Sequence, residues 1–289
     1  LIALAHNPVL VREVIEHLIS EKFNIFIDAT VGGGGHASSI LRHNEKVRFI
    51  GFDIDEYALS VAKKTLEPFG ERVTLIKGNF RDLKKHLNEE GINTFDGILF
   101  DLGISMYQIS GKRGFSFYDD CDLDMRMDMA QDKTAFHVIN TYNFETLRRI
   151  IKDYGEEFKA NAIARAIINR RKKGPIQTAL ELADLIVKVK GKKGRLHPAT
   201  KTFQAIRIEV NRELENLSMG LKDAIDMCAS KGRIGVISFH SLEDRIVKNM
   251  FKSDKRLHVI TKKPITPSKD EMEKNPASRS AKLRIAEKL

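Results

Sequence analysis

The densest chemical possibilities lie in Phe26-Ile27-Asp28-Ala29-Thr30-Val31-Gly32-Gly33-Gly34-Gly35-His36, where an apolar run ends on an acid, crosses four consecutive glycines and enters a helical composition. Glycines let a turn take positive φ and approach a ligand that a Cβ would hold off. A helix starting there turns unpaired N–H groups and a positive dipole end toward that ligand. Read literally, Gly32-x-Gly34-x-x-Ala37 also satisfies the dinucleotide fingerprint, with Asp53 near the distance expected for a ribose acid. The glycines alone fit a nicotinamide enzyme and a methyltransferase equally.

Three neighbouring features separate the two. Asp28 precedes the turn, where it would repel a pyrophosphate but suits a ligand that carries an ammonium group, as S-adenosylmethionine does. Asp53 and Asp55 close the next apolar run; Asp53 can accept two ribose hydroxyls, although an acid there is often only a helix cap. Gly78-Asn79-Phe80 closes the third run, placing a small step and an aromatic ring where an adenine could be flanked, although such a phenylalanine is more often core. Acids and an aromatic ending successive strands mark one crevice at the carboxyl edge of a sheet. They favour S-adenosylmethionine as the ligand.

The elements that must position these residues follow from periodicity. Ile25–Ile27, Phe49–Phe52, Val73–Ile76 and Gly97–Phe100 read as buried strands, with helical stretches at Ala37–His43, Glu56–Leu66 and Leu83–Asn88 between them. Alternating strands and helices predict a parallel, doubly wound α/β sheet of Rossmann-like type. From Gln108 to Ala199 there is no convincing strand; amphipathic stretches at Phe144–Tyr154, Phe158–Arg170 and Thr178–Lys190 predict an inserted all-helical domain. A single long helix from Thr200 to Ala229, with a stripe through Phe203, Ile206, Val210, Leu214, Leu217, Leu221 and Ile225, should lead back to strands at Arg233–Ser238, Leu257–Lys262 and Ala281–Glu287. Pro264–Ser280 reads as a loop. The expected organisation is residues 1–107 and 200–289 for the α/β domain and 108–199 for the insert.

Composition narrows the setting. No run approaches the ~18 apolar residues of a membrane helix, and the stub Leu1–His6 lacks the basic start of a signal peptide. The absence of an initiator Met gives the expectation that leading residues are missing. Two distant cysteines, Cys121 and Cys228, have no metal-type spacing, so no metal and a reducing, cytoplasmic setting are expected. The net charge of +10 resides in one segment, Ala160–Arg212, which has 13 Lys/Arg against 3 acids. That segment is either a solvated helical surface or a lobe facing a polyanion, because clustered cations release counterions from phosphates.

At the end of the fourth strand, Phe100-Asp101-Leu102-Gly103-Ile104-Ser105, the chain resembles the RsmH (MraW) family of ribosomal RNA small-subunit methyltransferases. The resemblance runs from Asp28–His36 through Asp101–Ser105 with Gln108, Arg113–Phe117, Leu123–Asp128, Tyr154–Glu157 and His197–Thr200 with Thr202–Ala205. It continues to Ser238–Arg245 and Asn275–Ser280. It implies a class I S-adenosylmethionine-dependent methyltransferase that modifies N4 of a cytidine in the decoding centre of 16S rRNA, on naked RNA or the small subunit. It further implies donor contacts at Gly34, Gly35, His36, Asp53, Phe80, Asp101 and Gln108, to which the residue reading adds Asp28 and Gly32. Thr30 stands where the general methyltransferase pattern has its first glycine. Leu102-Gly103-Ile104 stands where DNA amino-methyltransferases carry Pro-Pro-aromatic.

The chemistry demanded is exacting. A cytosine amine is a poor nucleophile whose lone pair is delocalised, so it must be held at ~3–3.5 Å and in line with the donor methyl. Acceptors on its N–H groups help localise that pair and stabilise developing charge. Asp101 is a candidate for this or for donor contact; Ser105 and the carbonyls of Leu102 and Gly103 are further acceptors. His240, just past the returning strand, is either a structural hydrogen-bonder or an RNA contact. Asp124, Arg126 and Asp128, alternating with Leu123, Met125 and Met127, form either a salt-bridged packed loop or a lid; Arg113 and Arg126 would pair the acids. Another RNA as substrate, and a nicotinamide oxidoreductase, are the alternative readings; monomer and homodimer both remain open.

Overall fold

The computed structural model describes residues 8–104, 111–118, 120–191 and 196–289. The expectations for Leu1–His6, Ser105 and Gln108 therefore fall outside the described residues, as does part of the basic run ending at Arg195. The chain divides into two compact units: Leu1–Gly103 with Leu214–Leu289, and Ile104–Glu213.

The first unit is built on seven strands: β1 (Ile25–Asp28), β2 (Arg48–Asp53), β3 (Val73–Lys77), β4 (Phe95–Asp101), β5 (Cys228–Ser238), β6 (Leu257–Val259) and β7 (Lys282–Lys288). Their order is β3-β2-β1-β4-β5-β7-β6. β1 to β5 pair in parallel, and β7 runs antiparallel to β5 and β6. The order reverses between β1 and β4, the place where open α/β sheets bind ligands beyond their carboxyl ends. Helices cover both faces, which explains why the strands read as continuous apolar runs. Phe26, Phe49 and Leu99 point to one face, packed by α1 (Val11–Leu18), α2 (Gly35–His43) and α3 (Glu56–Leu66). Ile27, Ile50, Phe52, Ile98 and Phe100 point to the other, packed by α4 (Leu83–Glu89) and two later helices.

The second unit contains α5 (Ala135–Thr141), α6 (Phe144–Asp153), α7 (Ala160–Arg171), α8 (Ala179–Lys190) and α9 (Thr200–Asn211). Their apolar stripes meet in a separate core that includes Val138, Ile150, Ile163, Ile167, Leu182, Ile186 and Phe203. Three of these helices begin on side-chain caps: Thr134 accepts from His137 N–H, Asn143 from Thr146 N–H and Thr178 from Glu181 N–H.

The long helix expected over Thr200–Ala229 is two helices. Arg212 lies in the left-handed region at φ 52°, ending α9, and α10 (Glu213–Met227) starts afresh. Phe203, Ile206 and Val210 belong to the helical core, whereas Leu217, Leu221 and Ala224 belong to the sheet core. For that reason the units divide at Gly103 and Glu213, where periodicity alone divided the chain at 107 and 199. Pro264–Ser280 is less irregular than expected. It contains α12 (Lys269–Lys274), capped by Ser268, and a 3₁₀ turn over Pro276–Ser280. The helix that follows β5, α11 (Ser241–Ser253), completes the unit. Among the described residues no helix is long and apolar enough to cross a membrane.

Candidate donor site at the carboxyl edge of the sheet

Asp28, Asp53 and Asp101 are the last residues of β1, β2 and β4, which lie side by side, so the sheet brings three carboxylates to one edge. The glycine turn is fastened among them. Asp28 Oδ1 accepts from Thr30 N–H at 3.0 Å, and Thr30 Oγ1 accepts from Asp101 N–H at 2.7 Å. Val31 N–H reaches the Phe52 carbonyl at 2.7 Å. Asp53 Oδ2 accepts from Gly32 N–H at 2.9 Å while its Oδ1 accepts from Asp55 N–H at 2.9 Å. Each carboxylate oxygen has a second lone pair, so Asp53 can still receive ribose hydroxyls. The cap of α3 is Asp55, which accepts from Tyr57 N–H, and this leaves Asp53 to the turn. Gly32 and Gly34 have φ of 52° and 84°, which a side chain rarely adopts.

Electrostatics set the character of the edge. Burial pushes the Asp28 carboxyl up to about 7, with the charges of Asp101 and Asp53 adding to the rise. Burial likewise lifts Asp53 to about 6 and Asp101 to about 7, the latter helped by Glu243. His36 is buried, and burial holds its imidazole below the ordinary range. Its Nε2 lies 2.8 Å from the Val9 carbonyl, which can only accept, so Nε2 carries the ring proton. Nδ1 then presents a lone pair 3.4 Å from Asp101 Oδ2. Asp101 Oδ1 is buried and has no hydrogen-bond partner among the described residues. A buried carboxyl oxygen without a partner costs free energy until something supplies one. The edge is short of positive charge and hydrogen-bond donors.

Phe80, in the turn after β3, is half-buried; its ring meets Phe100 edge-on at 5.5 Å between centroids. A Cβ at Gly220 would come within 2.7 Å of that ring, so α10 packs directly on it. Phe80 is thus held by core contacts.

His240 is placed as a helix cap. Its Nδ1 accepts from Glu243 N–H at 3.4 Å, its Nε2 lies 3.2 Å from Glu243 Oε1, and Glu243 Oε2 accepts from the N–H groups of Phe239 and His240. This reciprocal arrangement is a capping box on α11 that uses Nδ1, while the buried Nε2 has no hydrogen-bond partner among the described residues.

In the helical unit, Leu123 and Met125 are buried and Asp124 is paired with Arg126 through two guanidinium bonds of 2.8 Å. Asn211 holds the segment from behind: its Oδ1 accepts from Met127 N–H and its Nδ2 donates to the Met125 carbonyl, both at 2.8 Å. Of the two readings for Leu123–Asp128, this geometry is that of the packed, salt-bridged loop. Several cations of the basic segment are also engaged internally. Arg170 pairs with Glu181 and donates to the Gly174 carbonyl, Arg171 donates to the Ile139 carbonyl, and Lys190 pairs with buried Glu157 at 2.5 Å. Lys172, Lys173 and Lys188 are exposed.

Three contributors were not legible as site residues: Thr30, Glu243 and Val9. In the sequence Thr30 is only a departure from a glycine pattern, and Glu243 three residues after His240 is the one available sign of a capping box.

Comparison with known proteins agrees with this architecture. The MraW methylase family matches residues 3–289. Ribosomal RNA small subunit methyltransferase H of Sulfurihydrogenibium sp. (strain YO3AOP1) is 51% identical, with 98% of this chain and 99% of that protein covered. The proteins of the same name from Persephonella marina and Carboxydothermus hydrogenoformans are 51% and 48% identical, over 98% and 99% of this chain and 99% and 98% of theirs. Carboxylates gathered at the switch point of a seven-stranded sheet, and a family match along nearly the whole chain, place this protein in the MraW methylase family, as an S-adenosylmethionine-dependent methyltransferase.

Proposed function

We propose that the chain methylates N4 of a cytidine in the decoding centre of 16S ribosomal RNA. The observation that carries the donor half of this reading is the convergence of Asp28, Asp53 and Asp101 on one buried edge. A ligand with an ammonium and a sulfonium group answers that charge; a pyrophosphate would worsen it, which disfavours the nicotinamide alternative despite the glycines. The rRNA half rests on the names of the relatives, which are small-subunit rRNA methyltransferases, and on the resemblance of the Asp101–Ser105 motif.

The donor supplies an electrophilic methyl group on a sulfonium. Asp53 would hold its ribose and Phe80 flank its adenine, while Asp28 faces its ammonium. The first turn of α2, from Gly35 onward, offers backbone N–H groups to its carboxylate. Asp101, with one oxygen against His36 and the other without a partner, either contacts the donor or accepts from the cytosine amine. The carbonyls of Leu102 and Gly103 and the hydroxyl of Ser105 are the further acceptors that would help localise the amine lone pair. His240 supports the site by fixing the start of α11 beside Asp101, through Glu243. Exposed cations of the helical unit would hold the RNA backbone while the base leaves its stack.

The decisive experiment is mass mapping of 16S rRNA from cells with and without the protein. One decoding-centre cytidine should lose a methyl group at N4 in its absence; an unchanged methylation pattern would overturn the substrate assignment.

A further inference from the structure

Phe158 is the most exposed large apolar side chain among the described residues, at 96% of its full accessibility. The amphipathic stretch that sequence periodicity begins at Phe158 starts as a helix only at Ala160, so Phe158 and Lys159 stand outside it in the turn between α6 and α7. An apolar ring left in water forgoes roughly 1.5–3 kcal/mol of burial, and a loose turn could readily fold it inward. This turn cannot.

Every neighbour of Phe158 is fixed. Gly155 has no room for a side chain, because a Cβ there would lie 2.5 Å from the Lys201 carbonyl and 2.6 Å from that of Ile151. Glu156 takes the left-handed conformation at φ 47°, and its carbonyl accepts from Lys201 Nζ at 2.8 Å. Glu157 is buried, pairs with Lys190 at 2.5 Å and accepts from Lys159 N–H at 2.9 Å. Gln204 Nε2 donates to the Tyr154 carbonyl at 2.9 Å. The turn is anchored on α8 and α9 by four residues in a row, and the fifth is held out in water.

The surroundings of the ring are cationic. Lys201 Nζ lies 5.4 Å from its centroid. Lys159, next in sequence, is exposed. Both ammonium groups bond backbone carbonyls, Lys201 that of Glu156 and Lys159 that of Lys190 at 3.5 Å. Carbonyls orient a lysine without cancelling its charge; Glu157 is paired directly with Lys190 and meets Lys201 only through space. A rigid flat ring flanked by two lysines suits one ligand class: a single-stranded polyanion with aromatic faces. Bases stack on aromatic side chains regardless of their identity, and the lysines meet the adjoining phosphates.

We propose that Phe158 is a stacking platform for an unpaired base of the RNA substrate, with Lys159 and Lys201 holding the flanking phosphates. The inference rests on the RNA reading above and extends it to a contact outside the donor crevice. The ring takes no part in methyl transfer; it holds a nucleotide other than the target.

The test uses the full-length protein with protein-free 16S rRNA transcribed in vitro and with unmethylated small subunits, comparing wild type, Phe158→Ala, Phe158→Leu and Phe158→Tyr. S-adenosylmethionine titration and thermal melting should be unchanged in all three variants, because the ring is 96% exposed. Affinity for the protein-free RNA should fall about tenfold in Phe158→Ala, the size of a lost base–aromatic stack. It should stay low in Phe158→Leu and return in Phe158→Tyr. Lys201→Gln should reduce the slope of log affinity against log salt by about one. Full RNA affinity in Phe158→Ala, or equal rescue by leucine and tyrosine, would overturn the platform. Loss of affinity for subunits but not for protein-free RNA would overturn it too, since the ring would then be meeting a ribosomal protein. If wild type binds neither RNA nor subunits, the RNA reading itself fails, which is a different result.

Discussion

At the residue scale the informative group is Asp101. Its carboxyl is raised to about 7 by burial and by Glu243, and Asp28 is raised to about 7 mainly by burial. Both therefore hold protons in the folded protein at a pH where an unfolded chain would have released them. Stability from this source is full below the ordinary carboxylate range and is lost as pH rises toward 7. A donor carrying positive charge reverses the preference, because it favours the ionised forms. S-adenosylmethionine should accordingly bind more tightly as pH rises from about 6 to 8 and should expel protons as it binds. Isothermal titration at pH 6.5 in two buffers of different ionisation enthalpy would detect the release, and identical heats in both would refute the linkage. Asp101→Asn should flatten the pH dependence; if donor affinity and methylation rate both survive intact, Asp101 has neither of its proposed roles. The acids were visible in the sequence because each ends an apolar run. The His36–Asp101 contact and the Thr30 bond were not, because they depend on which strands lie side by side. Residues far apart in sequence announce no register.

At the element scale, the strands were largely legible and the break at Arg212 was not. The apolar stripe continues across it at steps of three or four, so periodicity sees one helix. Two features end α9: the left-handed Arg212, and Asn211, whose side chain serves Met125, Met127 and the Arg207 carbonyl. Asn211→Ala would leave the Met127 N–H and Met125 carbonyl without that partner. Unfolding in denaturant should show a loss of about 2–4 kcal/mol. A change below a few tenths would mean that the Leu123–Asp128 segment is held by its apolar residues alone. The same logic explains the overlong helix expected at Phe158: helical composition cannot report that Glu157 is pulled down onto Lys190.

At the scale of the whole molecule, the charge excess is real but its count overstates what is on offer. Arg170 is paired with Glu181 and Lys190 with Glu157, while Arg171 keeps its charge but has its guanidinium turned to the Ile139 carbonyl. The exposed Lys172, Lys173 and Lys188 carry the electrostatic prediction. Replacing these three with glutamine should lower the salt slope of RNA binding by about two to three while leaving the melting temperature and donor affinity unchanged. Arg170→Gln should instead lower the melting temperature, having lost its partner Glu181. An unaltered salt slope in the triple variant would remove this surface from the RNA interface.

The order β3-β2-β1-β4-β5-β7-β6 has one further consequence, felt while the protein is being made. β4 leaves the ribosome with β1 on one flank and nothing on the other, because β5 lies more than a hundred residues later in the chain. At ~5–20 residues per second, an unpaired edge rich in apolar side chains must wait on the order of ten seconds for its neighbour. The intervening residues form a helical unit with its own core, and helical units with local contacts fold in milliseconds or less. The nascent chain therefore spends most of that interval with its insert still being synthesised and its sheet half-built. In that period its demand for chaperone protection is greatest.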